Sequence, residues 1–305
     1  MADQHDPRAA VIGYGHVGRL FGELLAGAGW QVTAIDSELP QPGSGNGIRD
    51  DIGDPTAESR RALADAEVVV VALPERAALT AIDVLDDCVA EQATVVETLS
   101  RKARFRAGAE RRLAPRPLVS VNPLFHPSLG WAGNTVTGYV VRGGPTATRL
   151  LELMRAAGAQ VHPLDPDQHD RCVTAVQAVS HAALLGFAAA LPELDLPTAD
   201  VIACAPPPAR AMLALASRVL TANPETYWDI QRSGEPGDAA RAALRDSLNR
   251  LDEQVRAGDD EAFQESFARL RGWLGDDLDR FSGDAAHLLD TLVARRSAAS
   301  TADEH

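Results

Sequence analysis

The sequence predicts an α/β fold in its first half, built on a doubly wound parallel sheet, and an all-helical domain in its second half. The first observation is an alternation of short apolar runs with segments of helical periodicity. The second is a glycine-rich turn that joins the first apolar run to the first helical segment. The third is the loss of strand-like runs beyond about residue 165, where long helical stretches follow.

Six apolar runs rich in β-branched residues are predicted as strands. They are apolar at consecutive positions, which is typical of strands buried on both faces of a parallel sheet. The runs are Val11–Gly13, Val32–Asp36, Val68–Leu73, Thr94–Glu97, Leu118–Val121 and Tyr139–Arg142. The helical segments between them are Arg19–Ala28, Ala57–Ala64, Arg76–Val89 and Pro145–Ala157.

Five further helical stretches define a second domain. They are His169–Leu191, Ala209–Ala222, Ala239–Ala257, Asp260–Leu274 and Asp277–Arg295. We therefore predict a dinucleotide-binding domain at 1–165, a helical substrate and dimerisation domain at 166–296, and a disordered polar tail at 297–305.

The glycine-rich turn has the spacing of a dinucleotide-binding motif. Gly13 allows a tight turn, Gly15 lets a pyrophosphate approach the backbone, and Gly18 lets the helix pack closely on the strand. Asp36 ends the next apolar run, where a carboxylate binds the ribose hydroxyls and repels a 2′-phosphate. The two residues after it are not arginine, so the sequence predicts a Rossmann-type domain that binds NAD rather than NADP. The predicted cofactor-binding residues are Gly13, Tyr14, Gly15, His16, Val17, Gly18, Asp36, Leu73 and Pro74. The alternative is a glycine-rich turn in another α/β fold.

Composition restricts the partners and the compartment. The chain has 305 residues and a net charge of −14, which disfavours nucleic acid and anionic membranes as partners. Its three cysteines are far apart and form no C-x-x-C pair, so neither a disulfide framework nor a metal site is expected. We find no apolar signal region and no apolar run of the ~20 residues that a membrane span requires. The sequence predicts a soluble cytoplasmic protein.

Several polar residues fall where a nicotinamide enzyme needs substrate groups. Glu97–Lys102 and Ser120–His126 follow two predicted strands, and Lys102 is the only lysine of the chain. In the helical half, Arg210 and Arg218 lie on one helix face, where they could hold a dicarboxylate by bidentate pairing. Gln177 and His181 lie one turn apart. The alternatives are a surface lysine, solvated arginines and a satisfied core histidine, and His162, His169 and His287 are interpreted as structural.

Together these segments resemble the prephenate dehydrogenase family, in particular the dehydrogenase part of the bifunctional chorismate mutase–prephenate dehydrogenases. Leu99-Ser-Arg-Lys102 is similar to the family's Ser-Val-Lys segment, and Gln177-Ala-Val-Ser-His181 to its Gln-Ala-Leu-x-His. Arg210 to Arg218 resembles a helix whose second arginine binds a substrate carboxylate. The resemblance implies an NAD-dependent oxidative decarboxylation, roles for Ser100, His181 and Arg218, and a homodimer. Neither a mutase nor a regulatory domain is expected.

One motif departs from the family. In Asn122-Pro-Leu-Phe-His126-Pro, Asn122 stands where the family has its catalytic histidine, and His126 where it has glycine. A 4-hydroxyl substrate needs a base to take its proton, which asparagine cannot do. A 4-amino group can expel hydride with its own lone pair. We therefore expect oxidation of 4-amino-4-deoxyprephenate to 4-aminophenylpyruvate, a chemistry that supplies aminophenylalanine units to bacterial antibiotics.

Three alternatives remain open at this stage. The first is an ordinary prephenate dehydrogenase in which His126 or a water replaces the lost base. The second is a non-catalytic regulator that binds NAD or a metabolite. The third is a dehydrogenase or reductase for an unrelated small acid on the same plan.

Overall fold

The computed structural model describes residues 6–39 and 47–302, with side chains as far as residue 295. By its contacts the chain divides into two units, 1–173 and 174–305, which we call the sheet unit and the helical unit. The division falls eight residues after the predicted boundary. The last helix continues to Ala302, into the segment predicted as a tail, and 303–305 lie outside the described residues.

The sheet unit contains a single eight-stranded sheet in its described part. The strands are β1 Arg8–Ile12, β2 Gln31–Asp36, β3 Gly47–Arg49, β4 Val68–Val71, β5 Thr94–Glu97, β6 Leu118–Pro123, β7 Thr135–Arg142 and β8 Gln160–His162. Their order is β3-β2-β1-β4-β5-β6-β7-β8, and all neighbours are parallel except β6 and β7. The order of the first six strands is that of a Rossmann fold, so the predicted fold class is confirmed.

Alternating side chains of the strands bury two apolar layers. Val68 and Val70 of β4 face one layer with Phe21, while Val69 and Val71 face the other with Phe105. The first layer is covered by α1 His16–Gly27 and α5 Ala147–Ala156; the second is covered by α2 Ala57–Ala64, α3 Glu75–Cys88 and α4 Ala103–Arg112. Both faces are therefore covered, as a parallel sheet requires.

The sheet topology predicts where a ligand binds. The order of strand addition reverses between the parallel neighbours β1 and β4, and ligands of such sheets bind beyond the carboxyl ends of the strands at this point. Gly13 follows β1 there, and Leu73 and Pro74 follow β4.

The helical unit begins within a long helix, α6 Pro166–Ala190. It continues with α7 Thr198–Cys204, α8 Pro207–Leu220, α9 Pro224–Gln231, α10 Glu235–Ala257, α11 Asp260–Leu274 and α12 Asp277–Ala302. The apolar residues that this unit buries are mostly small, namely Ala178, Ala211, Ala216, Val219 and Ala240. Many large ones are exposed, including Val255 at 68% and Trp273 at 80%.

Helix α6 is more apolar than expected from the sequence analysis, which found no run long enough to cross a membrane. Among the residues described, Pro166–Leu194 is long and apolar enough by length and composition, with a mean hydropathy of 1.5. Only 17% of its apolar window is buried. Core helices and subunit interfaces of soluble proteins have the same composition, so this feature alone is weak evidence for a membrane.

Candidate active site

The glycine turn between β1 and α1 is closely packed at Gly13 and Gly18 and open at Gly15. Gly13 has φ +83°, and a Cβ there would overlap the carbonyl of Ala72. A Cβ on Gly18 would overlap the carbonyl of Gly13, whereas a Cβ on Gly15 would meet open space. Helix α1 has neither a side-chain cap nor an acidic residue in its first turn. Its N-terminal N–H groups can therefore bind an anion, and the turn fits a dinucleotide pyrophosphate.

Asp36 lies at the carboxyl end of β2, next to this turn. Its carboxylate accepts hydrogen bonds from the backbone N–H of Tyr14 at 2.5 Å and of Glu38 at 2.8 Å. Arg49 is its neighbour in register on β3 and donates from Nε to the carbonyl of Ser37 at 3.1 Å. The sequence argument considered only the two residues that follow Asp36 and therefore did not include Arg49.

The loop after β5 places its two predicted residues in different surroundings. Ser100 is exposed, whereas Lys102 is only 1% exposed. The ammonium of Lys102 donates to the carboxylate of Glu97 at 3.1 Å and to the carbonyl of Val121 at 2.6 Å. This geometry favours a positioning role for Lys102 over the predicted contact with substrate, because its ammonium is used inside the protein.

Glu97 is the shared acceptor of this buried cluster of hydrogen bonds. Its carboxylate also accepts from Ser120 Oγ and from the N–H of Leu99, at 2.9 Å for the latter. Burial lowers the pKa of Lys102, and the charge of Glu97 and its hydrogen bond oppose that effect. The cluster ties β5, its loop and β6 together at Val121, the residue before Asn122.

Asn122 lies on β6 and is 4% exposed. Its Nδ2 is 3.1 Å from Nε2 of His169, which is 1% exposed. The other ring nitrogen, Nδ1, is 2.9 Å from Oδ1 of Asp170. The carboxylate of Asp170 accepts the N–H groups of Lys102 and Ala103 at 2.8 and 2.9 Å. Burial raises the pKa of Asp170, but the hydrogen bonds from His169 and from these N–H groups lower it, and the pKa lies below its ordinary value.

His126 lies in the loop that follows β6. It is exposed, its Nδ1 is 2.7 Å from Ser128 Oγ, and its ring lies 5.4 Å from that of His16. The two histidines line an open groove of about 590 Å³ with Arg19, Glu23 and Trp131. His16 begins α1, so this groove adjoins the glycine turn.

The helical unit carries the remaining predicted residues. His181 on α6 packs edge-on against Tyr227, with ring centroids 4.9 Å apart, and burial lowers its pKa. Its Nδ1 is buried without a hydrogen-bond partner among the described residues, so it can serve a bound ligand. Gln177, one turn earlier, is half-buried.

Arg210 and Arg218, both on α8, lie in different surroundings. Arg210 is half-buried and donates to the carbonyl of Leu292 at 3.1 Å. Arg218 lies exposed in the last turn of α8. Of the two, Arg218 is therefore the better placed to bind a carboxylate.

Comparisons with known proteins identify the relatives of this chain. It is 42% identical to a 4-amino-4-deoxyprephenate dehydrogenase of Streptomyces pristinaespiralis, over 88% of this chain and 92% of that protein. The chain belongs to the prephenate dehydrogenase family. Residues 165–269 match the family described as "Prephenate dehydrogenase, dimerization domain". A T-protein of Enterobacter agglomerans is 26% identical, over 93% of this chain and 71% of that protein.

A solved structure of a family member has the same fold. Prephenate dehydrogenase from A. aeolicus, in complex with hydroxyphenyl propionate and NAD+, matches with a TM-score of 0.69 at 18% identity. The match covers 90% of this chain and 100% of that one. The predictions of the family and of a dehydrogenase are thus confirmed.

Sequence reasoning missed several residues around Asn122 that this member of the prephenate dehydrogenase family brings together. His169 was interpreted as structural, yet it bonds the predicted catalytic residue. Asp170, Glu97 and Ser120 were not singled out by any role. The adjacent pair His169-Asp170 near the start of a helix was the one signal available, and spacing alone does not connect it to a strand 47 residues away.

Proposed function

We propose that this enzyme catalyses the NAD-dependent oxidative decarboxylation of 4-amino-4-deoxyprephenate to 4-aminophenylpyruvate. Asn122 is the observation that carries the proposal, since a carboxamide replaces the base that a hydroxyl substrate needs. The 42% identity to a protein named for this activity supports it.

NAD is the cofactor, and bound at the glycine turn it accepts the hydride. Gly13, Tyr14, Gly15, His16, Val17 and Gly18 would surround the pyrophosphate, Asp36 would bind the ribose, and Leu73 and Pro74 would line the pocket beyond β4. The open space at Gly15 and the uncapped start of α1 support this assignment.

The substrate itself supplies the electrons. As the hydride leaves C4, the lone pair of the free amine forms a C=N bond and the nitrogen becomes positively charged. The C1–carboxylate bond then breaks, CO2 leaves, and its electron pair enters the ring and returns the nitrogen to a neutral arylamine. Aromatisation drives the reaction, so the protein mainly has to position the substrate.

The substrate is a dicarboxylate, and we propose that the residues predicted from the sequence recognise it. Arg218 and His181 would bind a carboxylate, with Gln177 beside His181, while Ser100 and His126 follow the ends of β5 and β6. Arg210 and Lys102 would position these groups, because each already donates to a carbonyl of the protein.

Purified protein with NAD and each substrate in turn tests the proposal. We expect faster NADH formation from 4-amino-4-deoxyprephenate than from prephenate. Asn122→His restores a base and should move the ratio of the two kcat/KM values about 10²-fold or more toward prephenate. Faster turnover of prephenate by the unaltered enzyme would refute the proposal. Turnover of neither would favour a regulator.

We also propose a homodimer in the cytoplasm. The matched family region is described as a dimerization domain. Within it, Leu248, Leu251 and Val255 form an exposed apolar stripe on α10, at 59%, 42% and 68% exposure. A second copy of the chain would cover such a stripe. Sedimentation equilibrium at micromolar concentration should give twice the mass of the chain, and a monomer would contradict this proposal.

A further inference from the structure

The chain of hydrogen bonds that ends on Asn122 has a defined direction. Asp170 accepts backbone N–H groups at both of its oxygens, and these bonds stabilise the ionised carboxylate. An ionised carboxylate only accepts, so Nδ1 of His169 must carry the hydrogen that lies between them. In the neutral imidazole, Nε2 is then an acceptor.

This direction determines how the carboxamide of Asn122 is oriented. Because Nε2 of His169 accepts, the group 3.1 Å from it must be the NH2 of Asn122. The carbonyl oxygen Oδ1 therefore points to the other side of the amide. No residue in the described part of the chain donates a hydrogen bond to this oxygen, which leaves it available to a substrate.

The two ends of a carboxamide have opposite effects on an amine that must expel hydride. A carbonyl that accepts from the amine N–H leaves the lone pair free and stabilises the positive charge that develops on nitrogen. An NH2 group in the same place would bind the lone pair itself, which raises the barrier to hydride loss. A carboxamide free to rotate would present either end.

We infer that His169 and Asp170 are positioning residues that hold the carbonyl of Asn122 toward the 4-amino group of the substrate and thereby select an amine. This inference rests on the proposed function and deepens it. The network also reaches the loop after β5, because Asp170 binds the start of α4 and Lys102 anchors the carbonyl of Val121 beside Asn122. The end of the loop after β5, the start of α4 and the start of α6 thus meet around one side chain of β6.

Asp170→Asn tests the direction with almost no change of shape. The N–H groups of Lys102 and Ala103 still need an acceptor, so the new carboxamide turns its NH2 toward His169. Nδ1 of His169 then accepts, its Nε2–H donates, and Asn122 must turn its carbonyl inward and present NH2 to the substrate. We expect kcat/KM for the amino substrate to fall about 10- to 100-fold with an unchanged KM for NAD.

Asp167→Asn is the matched control, because it makes the same replacement one turn earlier on α6. Asp167 pairs with Arg106 at 3.1 Å and touches neither His169 nor Asn122. It should leave kcat/KM for both substrates unchanged.

His169→Gln is the second variant, because glutamine still reaches Asn122 but imposes no direction on the hydrogen bond. Its kcat/KM for the amino substrate should lie between that of the unaltered enzyme and that of Asp170→Asn.

A double-mutant cycle separates positioning from general damage. Asn122→Ala removes the group that is positioned, so adding Asp170→Asn should not change the substrate ratio further. Equal losses for both substrates in Asp170→Asn, or full additivity in the double variant, would overturn the inference while the proposed function stands. Preference of the unaltered enzyme for prephenate would instead overturn the proposed function, and this inference with it.

Discussion

The two units of this enzyme differ in how they stabilise their apolar side chains. The sheet unit buries every residue of β4 and β5 and covers both faces of its sheet with helices. The helical unit buries mostly alanine and leaves large side chains such as Val255 and Trp273 exposed. The sheet unit has a complete core within one chain, whereas the helical unit leaves exposed the apolar side chains that we propose a second copy covers.

The largest expected effect comes from glycine-to-alanine replacements that contrast the two units. Gly18→Ala should destabilise the protein by about 3 kcal/mol or more and abolish NADH binding, since its Cβ overlaps the carbonyl of Gly13. Gly272→Ala in α11 meets open space and should stabilise the protein by about 0.5–1 kcal/mol. Urea unfolding and NADH fluorescence measure both. If the two variants had comparable free energies of unfolding, the difference in packing between the sites of Gly18 and Gly272 would be contradicted.

A second prediction concerns the apolar stripe of α10. Leu248→Glu combined with Val255→Glu places two charges where we propose a second copy, and should weaken dimerisation about 100-fold or more. Asn249→Glu adds a charge outside the stripe and is the control. Sedimentation velocity over a range of concentrations measures the change. A dimer that survives the double replacement would mean that another surface forms the interface.

The smallest effect is a difference in the pH at which the units lose stability. Burial lowers the pKa of His181, so the unfolded chain binds the proton more tightly and stability falls as pH drops below about 6.5. Asp170 also has a lowered pKa, and its contribution is lost only as pH falls below about 3.8. Urea unfolding across this range measures the free energy of unfolding against pH. His181→Asn should reduce its fall below about pH 6.5, and Asp170→Asn should reduce its fall below about pH 3.8. Unchanged profiles in these variants would contradict the assignment.

Much of the fold could be predicted from the sequence because its signals are local. The runs Val68–Leu73 and Thr94–Glu97 are apolar at consecutive positions, and the three glycines need only their immediate neighbours to be interpreted. The short edge strands β3 and β8 were missed, since Gly47–Arg49 and Gln160–His162 have mixed composition and form only through pairing with a neighbour. Helix α4 was missed as well, because half of its ten residues are charged and few are large apolar ones.

The site was less predictable than the fold. Asn122 could be singled out because a motif surrounds it, but its partner His169 lies 47 residues away on another element. Lys102 was correctly noticed as unusual, yet its burial against Glu97 depends on how β5 and β6 pair. Contacts of this kind arise from tertiary structure, which single-sequence periodicity does not encode.

The burial of Lys102 has a practical consequence for chemical labelling. Acylating reagents directed at lysine have no other side-chain target in this chain, and the folded protein shields that one amine. Acylation of Lys102 would therefore report opening of the sheet unit, and mass spectrometry could follow that opening through the peptide that contains Lys102.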